Sequence, residues 1–180
     1  TELLDPIVPQ YIADLISWTA IGARTTESQT LREMASGLSM PIGFKNGTDG
    51  SFNTAINAMK SASKSHHFLG VNANGMASIV NTTGNPDGHI VLRGGSKGPN
   101  FESESVKRIS AELKQCNLPH KVMIDCSHGN SNKDFRKQSE VLKNIAFQVS
   151  NGEKNILGVM LESHLKEGNQ KLLKKEDLQF

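Results

Sequence analysis

Strand-like and helix-like segments alternate along this chain, and the alternation constrains its fold more than any other feature. Apolar runs of strand length lie at 18–23, 41–44, 89–92, 121–126 and 156–161, with helical periodicity between them. Helices between strands predict right-handed crossovers and parallel pairing, which brings the carboxyl ends of the strands to one side. We therefore expect an α/β fold in which residues at those ends converge.

A charged or metal-binding residue type follows each of these five strands. The five residues are Arg24, Lys45, Arg93, His128 and Glu162. Binding to an open sheet concentrates at one switch point, so five such strand ends fit the rim of a barrel better. The sequence predicts a (β/α)8 barrel of the TIM type. Because such barrels have eight strands and about 250 residues, a chain of 180 residues is expected to hold the later strands, as one partial barrel domain over 1–180.

One pair of apolar segments departs from this alternation. Residues 67–71 and 77–82 flank Asn74-Gly75, a dipeptide that is typical of tight hairpin turns. We predict a β-hairpin insertion that spans 66–88.

Helix boundaries are predicted from capping residues and from apolar spacing. Residues 26–29 have the form of a capping box, and Asp49 or Ser51 can cap the helix after the second strand. The helix after the fourth main strand is predicted to begin at Asn132. Its apolar positions, expected to be buried, are Phe135, Leu142, Ile145 and Val149.

Three of the strand-end residues are cations that suit an anionic substrate. Arg24 and Arg93 can each bind phosphate oxygens bidentately, whereas Lys45 offers a compact point charge. The Gly94-Gly95 pair lets backbone approach a phosphate closely. Solvated surface charge is the ordinary alternative for a single arginine, but surface charges have no reason to end three apolar strands in the same register.

His128 and Glu162 are candidate ligands of a divalent metal. Side chains alternate along a strand, which puts Cys126 and His128 on one face of their strand, and Met160 and Glu162 on one face of theirs. Mixed nitrogen and oxygen ligands suit Mn, Fe, Co or Zn better than Ca. The alternatives are a hydrogen-bonded core histidine and an ion pair between Glu162 and one of the cations. Cys126 is expected to be a buried thiol.

Composition argues against several classes of protein. Twenty Lys and Arg against eighteen Asp and Glu give a formal charge of +2, with the signs interspersed, so we expect no nucleic-acid surface and no membrane patch. Two cysteines without framework spacing, and an N-terminus unlike a secretory signal, predict a soluble protein in the reducing cytoplasm. The chain begins at Thr1 without an initiator Met, and we expect both ends to be cut.

Six segments resemble the bacterial and fungal group of type I 3-deoxy-D-arabino-heptulosonate 7-phosphate (DAHP) synthases. They are ELLD, WTAIGARTTESQ, PIGFKNGTDG, IVLRGG, MIDCSHGNS and GVMLESHLKEGNQ, and they cover essentially the whole chain in order. The resemblance implies a (β/α)8 barrel that condenses phosphoenolpyruvate with erythrose 4-phosphate and water and releases phosphate. That reaction is the first step of the shikimate pathway to chorismate and the aromatic amino acids.

The resemblance also implies how phosphoenolpyruvate is bound. Arg24, Arg93 and the backbone N–H of Ala23 would hold its phosphate, with Glu2 behind the phosphate. Lys45 would hold its carboxylate and is one candidate for moving a proton.

His128 and Glu162 would be two ligands of the family's essential divalent metal, which makes the aldehyde carbon of erythrose 4-phosphate electrophilic. The family's metal-binding Cys, in Gly-Pro-Cys-Ser, and its metal-binding Asp have no counterpart in this chain, nor do its Lys-Pro-Arg-Thr and Gly-Trp-Lys segments. Cys126 belongs to the histidine's own strand motif and is not the missing ligand. The 180 residues alone are therefore expected to be inactive and to bind metal loosely.

The hairpin resembles part of the family's allosteric pocket for an aromatic amino acid. The candidate lining residues are Asp5, Pro9, Gln10, Ser39, Phe68, Gly70 and Val80. Gly70 stands where a Ser narrows the pocket, which favours tyrosine over phenylalanine as the inhibitor. Ordinary packing around a hairpin is the alternative. The full-length protein is expected to be a homo-oligomer.

Two other functions stay open at this point. One is the related 3-deoxy-octulosonate 8-phosphate synthase, against which the Gly-Ala-Arg-Thr-Thr-Glu-Ser and hairpin segments argue. The other is a non-catalytic remnant that keeps a phosphate cradle and an amino-acid pocket. Coding sequence for Gly-Pro-Cys-Ser upstream would indicate an enzyme fragment, whereas start and stop codons at the ends of this segment would indicate a remnant.

Overall fold

The computed structural model describes residues 13–72, 74–167, 174 and 176. Within them the chain forms seven strands and four α-helices. The strands are β1 (Thr19–Ile21), β2 (Ile42–Lys45), β3 (His67–Val71), β4 (Ala77–Asn81), β5 (Gly88–Leu92), β6 (Val122–Asp125) and β7 (Ile156–Met160). The helices are α1 (Gln29–Ser36), α2 (Asn53–Ala62), α3 (Ser103–Gln115) and α4 (Gln138–Ser150), and short 3-10 helices lie at Ala13–Leu15, His128–Ser131 and Phe135–Lys137.

Five of the strands form one parallel sheet in the order β1-β2-β5-β6-β7. This confirms the predicted α/β fold with its parallel strands. Every residue of β1, β2 and β5 is buried, as expected for parallel strands that are covered on both faces. In β7 the residues alternate between partly buried and exposed. The described strands form a sheet with β1 and β7 at its edges, and they do not form a closed eight-stranded barrel.

An apolar core lies between the sheet and the helices. From the sheet it takes side chains such as Phe44 of β2 and Ile124 of β6, which are fully buried. From α3 it takes Val106, Ile109 and Leu113, the three positions that share one helix face in the sequence pattern. Burial of these side chains fixes α3 against the sheet, so the loops at the carboxyl ends of the strands extend from a rigid layer.

Two helix starts differ from the prediction. The N-cap of α1 is Ser28, whose Oγ accepts the N–H of Leu31 at 3.4 Å, rather than the first residue of the predicted capping box. Helix α2 follows Phe52 and has no side-chain cap. Asp49 instead accepts the N–H of Ser51 at 2.9 Å and closes a turn in the loop before the helix.

The start of α4 was also predicted wrongly. Asn132 and Lys133 adopt left-handed backbone conformations with φ of 54° and 61°, which a continuing α-helix cannot accommodate. The helix therefore begins only at Gln138. Ile145 is buried and Leu142 partly buried as predicted, but Phe135 and Val149 are 50% and 49% exposed.

The two strands predicted around Asn74-Gly75 form an antiparallel hairpin, β3 paired with β4. It follows α2 and precedes β5, so it lies at the amino end of the sheet. Its base is joined to the end of α1 by a 2.6 Å hydrogen bond between the hydroxyls of Ser36 and Thr82. In the part of the chain that the structure describes, no helix combines the length and hydropathy needed to cross a membrane.

Candidate functional site

A cavity of about 890 Å³ opens at the carboxyl ends of β1, β2, β5 and β6. Its walls are the loops that follow these strands, as the parallel topology requires. The lining residues are Gly22, Ala23, Arg24, Thr25, Lys45, Thr48, Arg93, Gly95, Ser96, His128, Gly129, Asn132 and Lys133. The structure thus brings together Arg24, Lys45, Arg93 and His128, which the sequence analysis placed at four separate strand ends.

Two of the cavity's cations are buried. Lys45 is 5% and Arg93 8% exposed, whereas Arg24 is exposed. Burial lowers the pKa of Arg93, and the nearby charge of Arg24 acts in the same direction, while Asp125 and Glu162 oppose the shift. A buried guanidinium with a second cation nearby favours an anionic ligand that binds between the two positive charges.

Asp125 is a site residue that the sequence analysis missed. Its side chain is buried at the end of β6, where Oδ2 lies 2.9 Å from Nδ1 of His128 and 3.5 Å from Nζ of Lys45. The N–H of Ser127 donates to Oδ1 at 2.9 Å. Burial by itself raises the pKa of Asp125, but His128, Ser127 and Lys45 together outweigh burial and lower it. A carboxylate inside the apolar segment VMIDC was the signal that could have revealed it.

The predicted common face of Cys126 and His128 is wrong, because β6 ends at Asp125. Asp125 contacts Lys45 and His128, which line the cavity, while Ile124 and Cys126 on either side of it in the chain belong to the apolar core. His128 returns to the cavity through a 3-10 turn, in which its own φ is 52°. Cys126 is a buried thiol as predicted, and burial raises its pKa to about 11.

His128 and Glu162 meet at the edge of the cavity, where Nε2 of His128 lies 3.5 Å from Oε1 of Glu162. Ser127 Oγ donates to Oε2 of Glu162 at 3.0 Å. The side chain of Gln138 exchanges two hydrogen bonds of 2.8 and 2.9 Å with the backbone of Glu162, which ties the end of β7 to the start of α4. Despite these contacts, 60% of the Glu162 side chain is exposed.

The pair fits a metal site in part. One imidazole nitrogen and one carboxylate oxygen face each other, and such mixed donors suit transition metals. Among the described residues, no third His, Cys, Asp or Glu completes a group arranged to hold a metal ion. His128 and Glu162 can therefore supply two ligands of a larger set, and the alternative of an ion pair between Glu162 and a cation stays open.

Close backbone packing explains the Gly94-Gly95 pair. Gly94 has a φ of 70°, and a Cβ there would lie 2.5 Å from the carbonyl carbon of Gly129. A Cβ on Gly95 would lie 2.2 Å from the backbone nitrogen of Gly50. These glycines let three loops touch backbone to backbone. Gly95 also lines the cavity. Contact between the backbone of this glycine pair and a phosphate stays a prediction.

Three buried asparagines, also missed by the sequence analysis, join the same loops. Asn46 Oδ1 accepts the N–H of Arg93 at 2.8 Å, and its Nδ2 donates to the carbonyl of Gly94 at 3.0 Å. Asn100 Oδ1 accepts the N–H of Gly94 at 2.7 Å. Asn130 Nδ2 donates to the carbonyl of Asp125 at 2.8 Å, and its Oδ1 accepts the N–H of Asn100 at 2.8 Å. Their amides fix the ends of β2, β5 and β6 relative to one another.

The predicted allosteric residues are brought together in part. Phe68, Gly70 and Val80 share the less exposed face of the hairpin, and a Cβ on Gly70 would lie 2.7 Å from Cγ2 of Val80. Ser39 is exposed between α1 and β2, and no hydrogen bond of the described residues joins it to the hairpin. The remaining predicted site residues, Glu2, Asp5, Pro9 and Gln10, lie outside the described residues.

Comparison with known proteins adds independent information. A profile of the DAHP synthetase I family matches residues 1–180. The chain is 57% identical over 170 residues to the Tyr-sensitive phospho-2-dehydro-3-deoxyheptonate aldolase of Escherichia coli K12, covering 94% of this chain and 48% of that protein. It is 55% identical over 179 residues to the Phe-sensitive enzyme of the same organism, covering 99% of this chain and 51% of that one.

A solved structure agrees with this comparison. The phospho-2-dehydro-3-deoxyheptonate aldolase of Francisella tularensis SCHU S4 superposes with a TM-score of 0.93 at 53% identity, over 99% of this chain and 52% of that one. The chain therefore spans about half the length of the relatives that it matches. A family match over every residue, together with a cavity of converging cations beside a histidine and a glutamate, shows that the chain belongs to the DAHP synthetase I family.

Proposed function

We propose that these 180 residues are part of a longer DAHP synthase, a transferase that condenses phosphoenolpyruvate with erythrose 4-phosphate and water to give DAHP and phosphate. The observation that carries the proposal is the cavity, where cations from three strands converge next to His128 and Glu162. The relatives named for this activity support it.

The proposal extends to the fold of the longer protein. The edge strand β7 and its extension expose apolar side chains, with Leu157, Val159 and Leu161 36–51% exposed. This is expected of a strand that other parts of a longer protein cover. Relatives about twice as long have room for the further strands and helices. Residues 1–180 would then be one partial domain of a (β/α)8 barrel, with the hairpin at 66–88 inserted into it.

We assign phosphoenolpyruvate to the cationic side of the cavity. Arg24 and Arg93 lie close enough for their charges to act on each other, and both can donate to one phosphate together with the backbone N–H of Ala23. Glu2 stays assigned to the rear of this phosphate by resemblance. Lys45 contacts the substrate carboxylate and can transfer a proton at its Nζ, which Asp125 holds at 3.5 Å.

His128 and Glu162 would hold a divalent metal of the Mn, Fe, Co or Zn class, together with ligands from the rest of the protein. When bound, the metal supplies Lewis-acid polarisation of the aldehyde of erythrose 4-phosphate. The chain's own contribution is orientation, because Ser127 and Gln138 hold Glu162 in place.

We propose that the hairpin binds a regulatory aromatic amino acid and that tyrosine is the stronger inhibitor. Gly70 supports this, because a side chain there would press on Val80 and narrow the face shared with Phe68. Inhibition curves of the full-length enzyme test the choice, and clearly stronger inhibition by phenylalanine would reject it. Location in the cytoplasm is part of the same proposal, supported by two cysteines that form no disulfide. Homo-oligomeric assembly of the full-length protein stays a prediction.

Activity of the full-length protein that contains these residues tests the main proposal. With Mn(II), phosphoenolpyruvate and erythrose 4-phosphate, we expect DAHP and phosphate in equal amounts. Arg93→Ala should raise the KM for phosphoenolpyruvate strongly, because a buried charged contact is lost, whereas Lys64→Ala at the other end of the sheet should not. A folded wild-type protein that neither binds phosphoenolpyruvate nor forms DAHP with any of the four metals would reject the proposal.

The 180-residue chain provides a second test. Purified alone with Mn(II) and both substrates, it should form no DAHP, because half of the proposed metal ligands and several substrate-binding segments lie elsewhere. Turnover by this chain would show that its own 180 residues suffice for the reaction and would reject the assignment of essential metal ligands to the rest of the protein.

A further inference from the structure

We propose that Asp125 is a positioning residue that selects the tautomer of His128 and aims its Nε2 at the metal. This inference rests on the proposed function, since it concerns the histidine of the proposed metal pair. It goes beyond that proposal by assigning a role to a carboxylate that is itself not a ligand.

The carboxylate of Asp125 is held too firmly to act as a mobile group. Its Oδ1 accepts the N–H of Ser127 at 2.9 Å, and its backbone carbonyl accepts Nδ2 of Asn130 at 2.8 Å. The residue is fully buried at the end of β6. Oδ2 is therefore fixed in place, between the ring of His128 and the ammonium group of Lys45.

Oδ2 of Asp125 and Nδ1 of His128 are buried polar atoms that face each other. Apart from their 2.9 Å contact and the ion pair with Lys45, neither atom has a hydrogen-bonding partner among the described residues. A carboxylate is an acceptor, so a neutral imidazole placed against it carries its proton on Nδ1. The lone pair is then on Nε2, the nitrogen that faces Glu162 at 3.5 Å.

The backbone supports the same assignment. His128 occupies a left-handed conformation with φ of 52°, an uncommon state for a non-glycine residue. The Lys133 N–H donates to the His128 carbonyl at 2.7 Å and holds the turn closed. This turn directs the ring back over Asp125, so a strained backbone and a buried carboxylate together determine where Nε2 points.

Because Asp125 also pairs with Lys45, replacing Asp125 is expected to change the affinities for metal and for phosphoenolpyruvate differently. In Asp125→Asn the amide oxygen keeps the hydrogen bond from the N–H of Ser127, so the NH2 group faces Nδ1 of His128 and no acceptor is left there. We expect Mn(II) affinity to fall by about 10- to 100-fold. The same change removes a negative charge 3.5 Å from a cation that we assign to phosphoenolpyruvate. Binding of phosphoenolpyruvate to metal-free protein should therefore stay within about threefold of wild type or become tighter. General damage to the site would weaken both ligands together.

The experiment uses the full-length protein freed of metal. Titration calorimetry measures Mn(II) alone and phosphoenolpyruvate alone for wild type, Asp125→Asn and Asp134→Asn. Asp134 is the matched control, because its Oδ1 caps the neighbouring 3-10 turn through the N–H of Arg136, whereas the ion pair of His128 on this loop is with Asp125. Histidine-selective 15N NMR of the metal-free wild type reports which ring nitrogen of His128 carries the proton, and this measurement does not depend on how well the variant folds.

A selective loss of Mn(II) affinity in Asp125→Asn, with Asp134→Asn unchanged and an Nδ1–H tautomer in the wild type, supports the assignment. Equal Mn(II) affinity, parallel loss of both ligands, or an Nε2–H tautomer overturns it. Failure of the wild type to bind phosphoenolpyruvate would instead count against the proposed function, so the two failures are distinguishable.

Discussion

Replacing Gly94 by Ala tests the close packing of the loops that surround the cavity. Gly94 has a φ of 70°, and its N–H and carbonyl both bond to buried asparagine side chains. A Cβ there would lie 2.5 Å from the carbonyl carbon of Gly129 and 2.6 Å from the backbone nitrogen of Asn130. Both contacts are with backbone atoms, so no side chain can rotate to relieve them. The two loops would have to move apart.

Two costs add in this substitution. The left-handed conformation costs a non-glycine residue roughly 1–2 kcal/mol. The nearest contact is about 0.9 Å short of the 3.4 Å at which ordinary contact begins, and overpacking of this kind costs about 1–3 kcal/mol. We therefore expect Gly94→Ala to lower the free energy of unfolding by about 2–5 kcal/mol.

Gly152→Ala separates the two costs. Gly152 also has a positive φ, of 94°, but nothing lies within 4 Å of its added Cβ, so only the conformational cost of about 1–2 kcal/mol applies. Urea unfolding of the full-length protein, followed by circular dichroism, gives both values from the midpoints at equal m. Equal destabilisation by the two substitutions would refute the packing of Gly94 against Gly129.

Two further predictions concern buried titratable groups. Burial raises the pKa of Cys126 to about 11, so a thiol reagent at about pH 8 should label the partly exposed Cys116 and spare Cys126; comparable labelling, mapped by mass spectrometry, would contradict the buried position. Burial lowers the pKa of His89, which accepts Trp18 Nε1–H at 3.0 Å. Unfolding then takes up a proton below about pH 6.5, so the free energy of unfolding should decrease on acidification, by up to about 1.4 kcal/mol per pH unit. In urea titrations, His89→Gln should make the free energy of unfolding less dependent on pH. An unchanged pH dependence would argue against the lowered pKa of His89 as its cause.

Much of the fold follows from local pattern. Apolar runs separated by helical periodicity predicted the five parallel strands, because strands and helices bury their faces at different periods. The turn at Asn74-Gly75 predicted the hairpin, because few residue types tolerate its backbone. The convergence of Arg24, Lys45 and Arg93 on one cavity also followed, since parallel topology puts all carboxyl ends at one edge.

Positions where a strand gives way to a turn could not be predicted in the same way. The sequence pattern extended the fourth main strand through Cys126 and gave His128 its parity, but the strand ends at Asp125. A 3-10 turn then carries His128 to the cavity. Alternation along a strand loses its meaning once φ becomes positive, and the sequence gives no direct sign of that change at a histidine.

The starts of the helices were predicted wrongly for a related reason. Several polar residues near each start could serve as a cap, and tertiary contacts decided among them. Residue Thr26, the predicted cap, is buried with its hydroxyl within 2.8 Å of the Gly22 carbonyl and 3.0 Å of the Lys45 carbonyl, so Ser28 caps α1 instead. The Thr26 hydroxyl is held at the end of β2, and the hydroxyl of Ser28 is the one that accepts an N–H from the first turn of α1.

The sequence by itself determined the parallel α/β architecture, the family and the strand ends that carry charge, because these depend on periodicity and on short segments of contiguous residues. Only the tertiary structure decided the partners of those charges. Asp125 meets both Lys45 and His128, Asn46 accepts the N–H of Arg93, and hydrogen bonds link Asn46, Asn100 and Asn130 to one another. Except for the contact between Asp125 and His128, these contacts join residues far apart in the chain, and burial away from water is what makes them strong enough to orient a site.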